Sequence, residues 1–157
     1  MAAKNATGAI PVVMAASGDP ILSGVVPSLA RPRGNVTGLS AVVVEVSGKR
    51  LGLLREVVPG VSRIAALFNL SDPNDALQWK ETEIAASSLR VQLQLLDVRK
   101  PGDFAAAFDA ATKQRAGALV VGLDALTWAN RRSIVDLAAK NRLPASYGAR
   151  SLWTPGV

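Results

Sequence analysis

The chain has 157 residues, 49% of them hydrophobic and only 4% aromatic, and a formal net charge of +6 from 18 basic and 12 acidic residues. That is about one domain's worth of sequence, apolar enough to bury a substantial core, so a disordered chain is excluded. Cysteine and histidine are both absent, which removes disulfides, thiol and imidazole chemistry and the commonest zinc ligands together.

No apolar run approaches the roughly 20 residues that cross a bilayer. The start, Met1-Ala2-Ala3-Lys4-Asn5-Ala6-Thr7-Gly8, lacks the apolar centre of an export signal, so the chain as it stands reads as soluble and without an export address. The basic residues fall in isolated doublets, Lys49-Arg50, Arg99-Lys100 and Arg131-Arg132. They are not gathered into a stripe with aromatics, so solvated helix faces account for them better than a nucleic-acid partner does.

In chain order, Ile10 to Ala16 reads as a first strand with Pro11 near its start, where a missing donor is tolerated. Ser17-Gly18-Asp19-Pro20 follows, and Asp19 before Pro20 has the form of a helix N-cap with proline at the first helical position. The helix then expected over Ile21 to Ala30 contains Pro27, which should bend or shorten it. After a turn at Arg31 to Asn35, Val36 to Ser40 reads as a short strand. Ser47 is expected to cap a helix reaching about Val58, with Leu51, Leu54 and Val58 on one face and Pro59-Gly60 as its stop.

Ile64 to Phe68 is a run of five apolar residues. It suits a strand covered on both faces, as in parallel sheets. Asp75 to Arg90 is expected to be helical, with Leu77, Ile84, Ala85 and Leu89 inward. Val91, Leu93 and Leu95 alternate with Gln92 and Gln94, the period of a strand with one wetter face near a sheet edge. Phe104, Ala107, Phe108 and Ala111 fall at i, i+3, i+4 and i+7 in a helix opened by Pro101-Gly102-Asp103. Ala118 to Gly122 reads as a buried strand, Ala129 to Asn141 as a helix with Ile134, Leu137 and Ala138 inward, and Pro144 to Tyr147 as a short last strand. Ser151 to Val157 completes no element.

Strand and helix alternate with short connections, which predicts an α/β fold: a doubly wound parallel sheet with helices on both faces. In such sheets ligands collect outside the carboxyl ends of the strands. Ser17-Gly18-Asp19, Asn69 to Asp72, Asp124 to Trp128 and Tyr147-Gly148 should therefore emerge on one rim. Gly18, Asp19, Asn69, Asp124, Trp128 and Tyr147 are the candidate ligand contacts there. Carboxylates and amides accept hydrogen bonds, and the two aromatics offer flat apolar contact, a lining suited to a small ligand with an amine. The plainer reading gives Asn69, Asp72 and Asn74 only turn and cap roles, Asp19 a cap, and Trp128 and Tyr147 ordinary packing.

Catalytic patterns are weak. Asp19, Asp72 and Asp124 have the chemistry to share a magnesium ion, yet no lysine ends a strand in the manner of a receiver domain, and neither a phosphate loop nor a dinucleotide fingerprint is present. No catalytic residue, metal or cofactor is expected.

The succession Ile10-Pro11-Val12-Val13, Gly18-Asp19-Pro20, Ser28 to Pro32, Gly34 to Ser40, Ser47 to Leu51 and Arg142-Leu143-Pro144-Ala145 resembles the ABC-transporter substrate-binding proteins of the tryptophan/tyrosine type, which have the type I periplasmic-binding fold. The resemblance runs from about Ile10 to Gly148. It implies a two-lobed, non-catalytic protein that closes on an aromatic or branched amino acid and delivers it to a membrane permease, with a periplasmic location. It also implies cleft positions at Gly18, Asp19 and Pro20 from one lobe and at Asn69, Asp124 and Tyr147 from the other. Departures are Leu70 where the family has proline, Pro27 where it has alanine or valine, and Arg33 where it has glycine.

Family members are about twice as long, so residues 1–40 would be the tail of a first lobe and 41–157 most of a second. Unfinished strands in the first segment are expected to pair with another copy, giving a homodimer. The alternative is an intracellular small-molecule sensor or interaction domain of the same fold.

Overall fold

The computed structural model describes residues 2–21, 23–40 and 43–149. A one-turn helix α1 (Ala2–Ala6) precedes strands β1 (Val12–Ser17) and β2 (Val36–Ser40), which form a two-stranded parallel sheet with Val12 opposite Val36 and Met14 opposite Gly38. Gly38 sits at φ 149°, and a Cβ there would lie 2.2 Å from Met14 O, so the two strands approach this closely only because residue 38 has no side chain. Asn35 braces the entry by donating from Nδ2 to Thr7 O and Ile10 O.

The remainder runs α2 (Ser47–Val57), β3 (Arg63–Phe68), α3 (Pro73–Leu89), β4 (Gln92–Asp97), α4 (Asp103–Lys113), β5 (Ala118–Val121), α5 (Ala125–Ala129), α6 (Arg131–Lys140) and β6 (Ala145–Ser146). The second sheet has the order β4-β3-β5-β6 with every neighbour parallel. Alternation along β3 makes two cores. Ala65 and Leu67 face Phe104, Phe108 and Ala111 of α4 and Ile134 and Ala138 of α6, while Ile64, Ala66 and Phe68 face Leu51 and Leu54 of α2 and Ala86 of α3. Both faces are thus covered, the doubly wound architecture that alternating strand and helix implies. Each leucine, isoleucine or phenylalanine in the two cores contributes about 1.5–3 kcal/mol when taken out of water, and an alanine methyl less.

Several local expectations are corrected. Ile21 to Ala30 forms turns instead of a helix among its described residues. Val25 N and Val26 N both bond Pro20 O, Gly24 takes φ 69°, and Pro27 has no N–H to continue a helical ladder. Ser47 is the first helical residue of α2 and not its cap; its hydroxyl donates back to Val43 O at 2.7 Å. The inner face of α3 is rotated from the apolar one expected. Asp75, Gln78, Thr82 and Ala86 are buried, whereas Ile84 is 56% exposed, because Asp75 and Gln78 find main-chain partners inside.

On β4 the wetter face is reversed in part. Gln94 is buried in register with Ala65 and Leu95 lies outward, since the face bearing Gln94 and Leu96 passes beneath α4. A separate short helix, α5, precedes the last long one. Ser151 to Val157 lie outside the described residues. No helix among the described residues is long and apolar enough to cross a membrane.

Candidate functional site

β3 hands the chain to α3, which packs on one face of the sheet, and β5 hands it to α5 and α6, of which α6 packs on the other. The strand order reverses between β3 and β5, the point at whose carboxyl ends open α/β sheets place their ligands. Asn69 and Asp124 stand there. Asn69 Nδ2 donates to Asp124 Oδ2 at 2.7 Å, and Asn69 Oδ1 accepts from the amide and hydroxyl of Ser71. Asp124 also caps α5, with Oδ1 accepting Thr127 N at 2.7 Å and Thr127 Oγ1 accepting Asp124 N at 3.1 Å, a reciprocal capping box. The cap role and the rim position coexist in one residue.

Asp72 takes the turn role alone, capping α3 by accepting from Asn74 N and Asp75 N. Gly18 and Asp19 meet α3 at Asn74, whose Oδ1 accepts Asp19 N at 3.1 Å. A Cβ at position 18 would come within 2.7 Å of Asn74 Cγ, so this contact requires glycine. Asp19 Oδ1 accepts Ile21 N at 2.8 Å, while Pro20 is buried and receives the turn bonds.

The aromatics differ. Tyr147 is half-buried and packs against the core under α4 and α6, and burial pushes its phenol above the ordinary value. Its neighbour Gly148 lies against Leu123, where a Cβ would be 2.6 Å from Leu123 Cβ. Trp128 is 42% exposed on α5 with the Arg131 guanidinium 5.4 Å from its ring centre, a stacked cation.

Two residues at the site carry no motif in the sequence. Asp75 and Gln78 are fully buried just below the rim. Asp75 Oδ2 accepts Asn69 N at 2.6 Å, and Gln78 bonds both the N–H and the C=O of Leu123 at 3.1 Å. Arg50, buried on α2, donates from Nη2 to Val121 O and Ser146 O, tying β5 to β6, while its Nε and Nη1 find no partner among the described residues. Burial lowers Arg50 to about 10, against the attraction of Asp75, and raises Asp75 to about 7. The available signal was a polar stripe, Asp75, Gln78 and Thr82, at helical spacing on an otherwise apolar-facing helix.

Comparison with known proteins bears on the family and the fold. Residues 1–152 match the family model described as ABC transporter substrate binding protein. A tyrosine-binding protein of Clostridioides difficile (strain R20291) is 39% identical over 77 residues, which are 49% of this chain and 22% of that protein. Among solved structures, an ABC domain in complex with L-Trp from Streptococcus pneumonia superposes with TM-score 0.81 at 26% identity, over 95% of this chain and 50% of that one. The ligand-free, open structure of a substrate-binding protein with adhesive properties from Clostridium difficile gives TM-score 0.63 at 26% identity over 93% and 48%. The chain therefore spans about half the length of the structures it matches. With the family match covering nearly its whole length, the chain belongs to the ABC transporter substrate-binding protein family, a family of binding proteins and not of enzymes.

Proposed function

We propose that the chain is the solute-binding component, or a part of the component, of an ABC importer, and that it takes a small aromatic or branched amino acid without catalysis. In this reading residues 1–40 belong to one lobe and 41–157 to the other, and the ligand lies in the cleft between them. Asn69, Asp124, Trp128 and Tyr147 form one wall, and Gly18, Asp19 and Pro20 the other. The observation that carries the reading is the bond between Asn69 and Asp124 at the reversal of strand order, with Gly18 and Asp19 meeting Asn74 beside it. A carboxylate and amides suit an ammonium group, and aromatic rings suit an apolar side chain. The ligand class draws support from the tyrosine and L-Trp named for the relatives.

A ligand touching both walls favours the state in which both reach it, so hinged closure of one lobe on the other is the mechanism. A permease and a periplasmic location belong to the same reading. So does pairing with a second copy along the β1–β2 sheet, where Ile10, Val13 and Leu39 are each at least 66% exposed. Titration calorimetry with L-tryptophan, L-tyrosine and L-leucine tests the proposal: saturable binding of one of them is expected, and no heat from any overturns it. Light scattering that finds only monomer at high concentration removes the pairing.

A further inference from the structure

Beneath the rim lies a polar layer that the core has no need of. Asp75 Oδ2 accepts the Asn69 N–H at 2.6 Å, and Oδ1 accepts Gln78 Nε2 at 3.0 Å. Gln78 in turn closes a ring with the Leu123 main chain, donating to its carbonyl and accepting from its N–H. The exits of β3 and β5 are thus held at a fixed spacing through one carboxyl and one carboxamide, both fully buried. Leucines at these positions would fill a core at no desolvation cost, so the buried polar pair is retained against that cost.

Resting on the reading of the rim as a ligand wall, we propose that Asp75 is a positioning residue whose carboxylate fixes Asn69 and, through Gln78, the Leu123–Asp124 exit, and whose protonation releases the two exits from one another. Both Asp75 oxygens accept from N–H donors, the arrangement of an ionised carboxylate. A carboxylic acid carries an O–H, and wherever that hydrogen sits it weakens acceptance from either Asn69 or Gln78. The charged groups facing Asp75 are Arg50 from α2, which favours ionisation, and Asp124 from the β5 exit and Asp72 from the turn before α3, which oppose it. Burial, with the two carboxylates acting in the same direction, outweighs the Asn69 N–H bond and Arg50 and brings its titration to about 7, so the release falls near neutral pH. Gly122 completes the alcove: its missing Cβ would lie 2.2 Å from Asp75 Oδ1.

The test follows the amide signals of Asn69 and Leu123 by NMR in the ¹⁵N-labelled 157-residue chain between pH 5 and 9, without ligand. Both are expected to move with one midpoint near 7, and neither to move in Asp75→Asn. Flat amides in the parent chain, or the same titration in Asp75→Asn, overturn the proposal. Gln78→Leu cuts only the relay, so there Asn69 should still titrate while Leu123 stops; a Leu123 amide that still titrates overturns the relay. Calorimetry with L-tryptophan adds the functional readout, with affinity expected to fall about 5-fold or more from pH 8 to pH 5.5 and the ratio to collapse in Asp75→Asn. If none of L-tryptophan, L-tyrosine and L-leucine binds at either pH, the ligand-wall reading falls while moving amides still uphold Asp75. If the amides are flat, Asp75 falls whatever L-tryptophan does.

Discussion

Asn69 Nδ2 lies 2.7 Å from Asp124 Oδ2, so a side-chain bond joins two strands' exits at the reversal of strand order. Asn69→Ala removes that bond and the Ser71 bonds to Oδ1. Hydrogen bonds to charged groups contribute about 1.5–3 kcal/mol, and because this one is only half-buried, a loss of about 1–2 kcal/mol is expected in urea unfolding. L-tryptophan affinity should fall about 10-fold or more, that is, by at least about 1.4 kcal/mol. Asn69→Asp should cost more than Ala, because a second carboxylate then faces Asp124. Equal affinity in all three chains would remove Asn69 from the wall.

Two glycines should respond in opposite directions to the same substitution. A methyl at Gly122 meets Asp75 Oδ1 and, at 2.6 Å, Phe68 Cδ1, so Gly122→Ala is expected to cost about 3 kcal/mol or more. Gly52 stands inside α2 with nothing within 4 Å of its would-be Cβ. Gly52→Ala should stabilise by about 0.5–1 kcal/mol through helix propensity alone. Urea midpoints at fixed slope measure both.

Stability should depend on pH through Asp75 with a definite sign. Its carboxyl is raised from 3.8 to about 7 in the fold, so between those values the folded chain holds a proton that the unfolded chain has lost. Stability therefore falls as pH rises from about 4 to about 7 and is flat in this respect above 7. The difference in unfolding free energy between the parent chain and Asp75→Asn should shrink across that window by up to about 4 kcal/mol. A difference that grew with pH, or stayed constant, would contradict the burial-driven shift. The ionised form that positions Asn69 is thus the less stable one, a conflict between site and fold of the kind active and binding sites carry.

The chain ends three helices on arginines in the left-handed region: Arg90 at φ 54°, Arg115 at 57° and Arg142 at 53°. Left-handed backbone costs a side-chain-bearing residue about 1–2 kcal/mol, offset in Arg→Gly by the unfolded chain's gain in freedom and the lost charge at the helix end. Each single Arg→Gly is expected to stabilise by about 0.5 kcal/mol, and the three to add, since they end separate helices. Thermal unfolding of the singles and the triple checks this.

The doubly wound sheet was legible because its signals are local: five apolar residues at Ile64 to Phe68, the i, i+3, i+4, i+7 pattern from Phe104, and the alternation of elements. Val36 to Ser40 and the Asp72 turn were legible for the same reason. What stayed hidden depended on partners distant in sequence. Ile84 points outward because Asp75 and Gln78 turn inward to main-chain groups at Asn69 and Leu123, a preference no hydrophobic periodicity records. Arg50 is buried by carbonyls 71 and 96 positions away. The helix expected after Pro20 is stopped by Pro27 and by Gly24 at φ 69° together.

The hydrogen atom that residue 122 carries in place of a methyl has a consequence for descent. An acid can occupy position 75 only while its alcove stays vacant, and alanine at 122 is tolerable only once that acid has shrunk or gone. Substitutions at the two sites should therefore arrive in pairs among kindred sequences, and lineages that keep aspartate at 75 should show nothing larger than glycine opposite it.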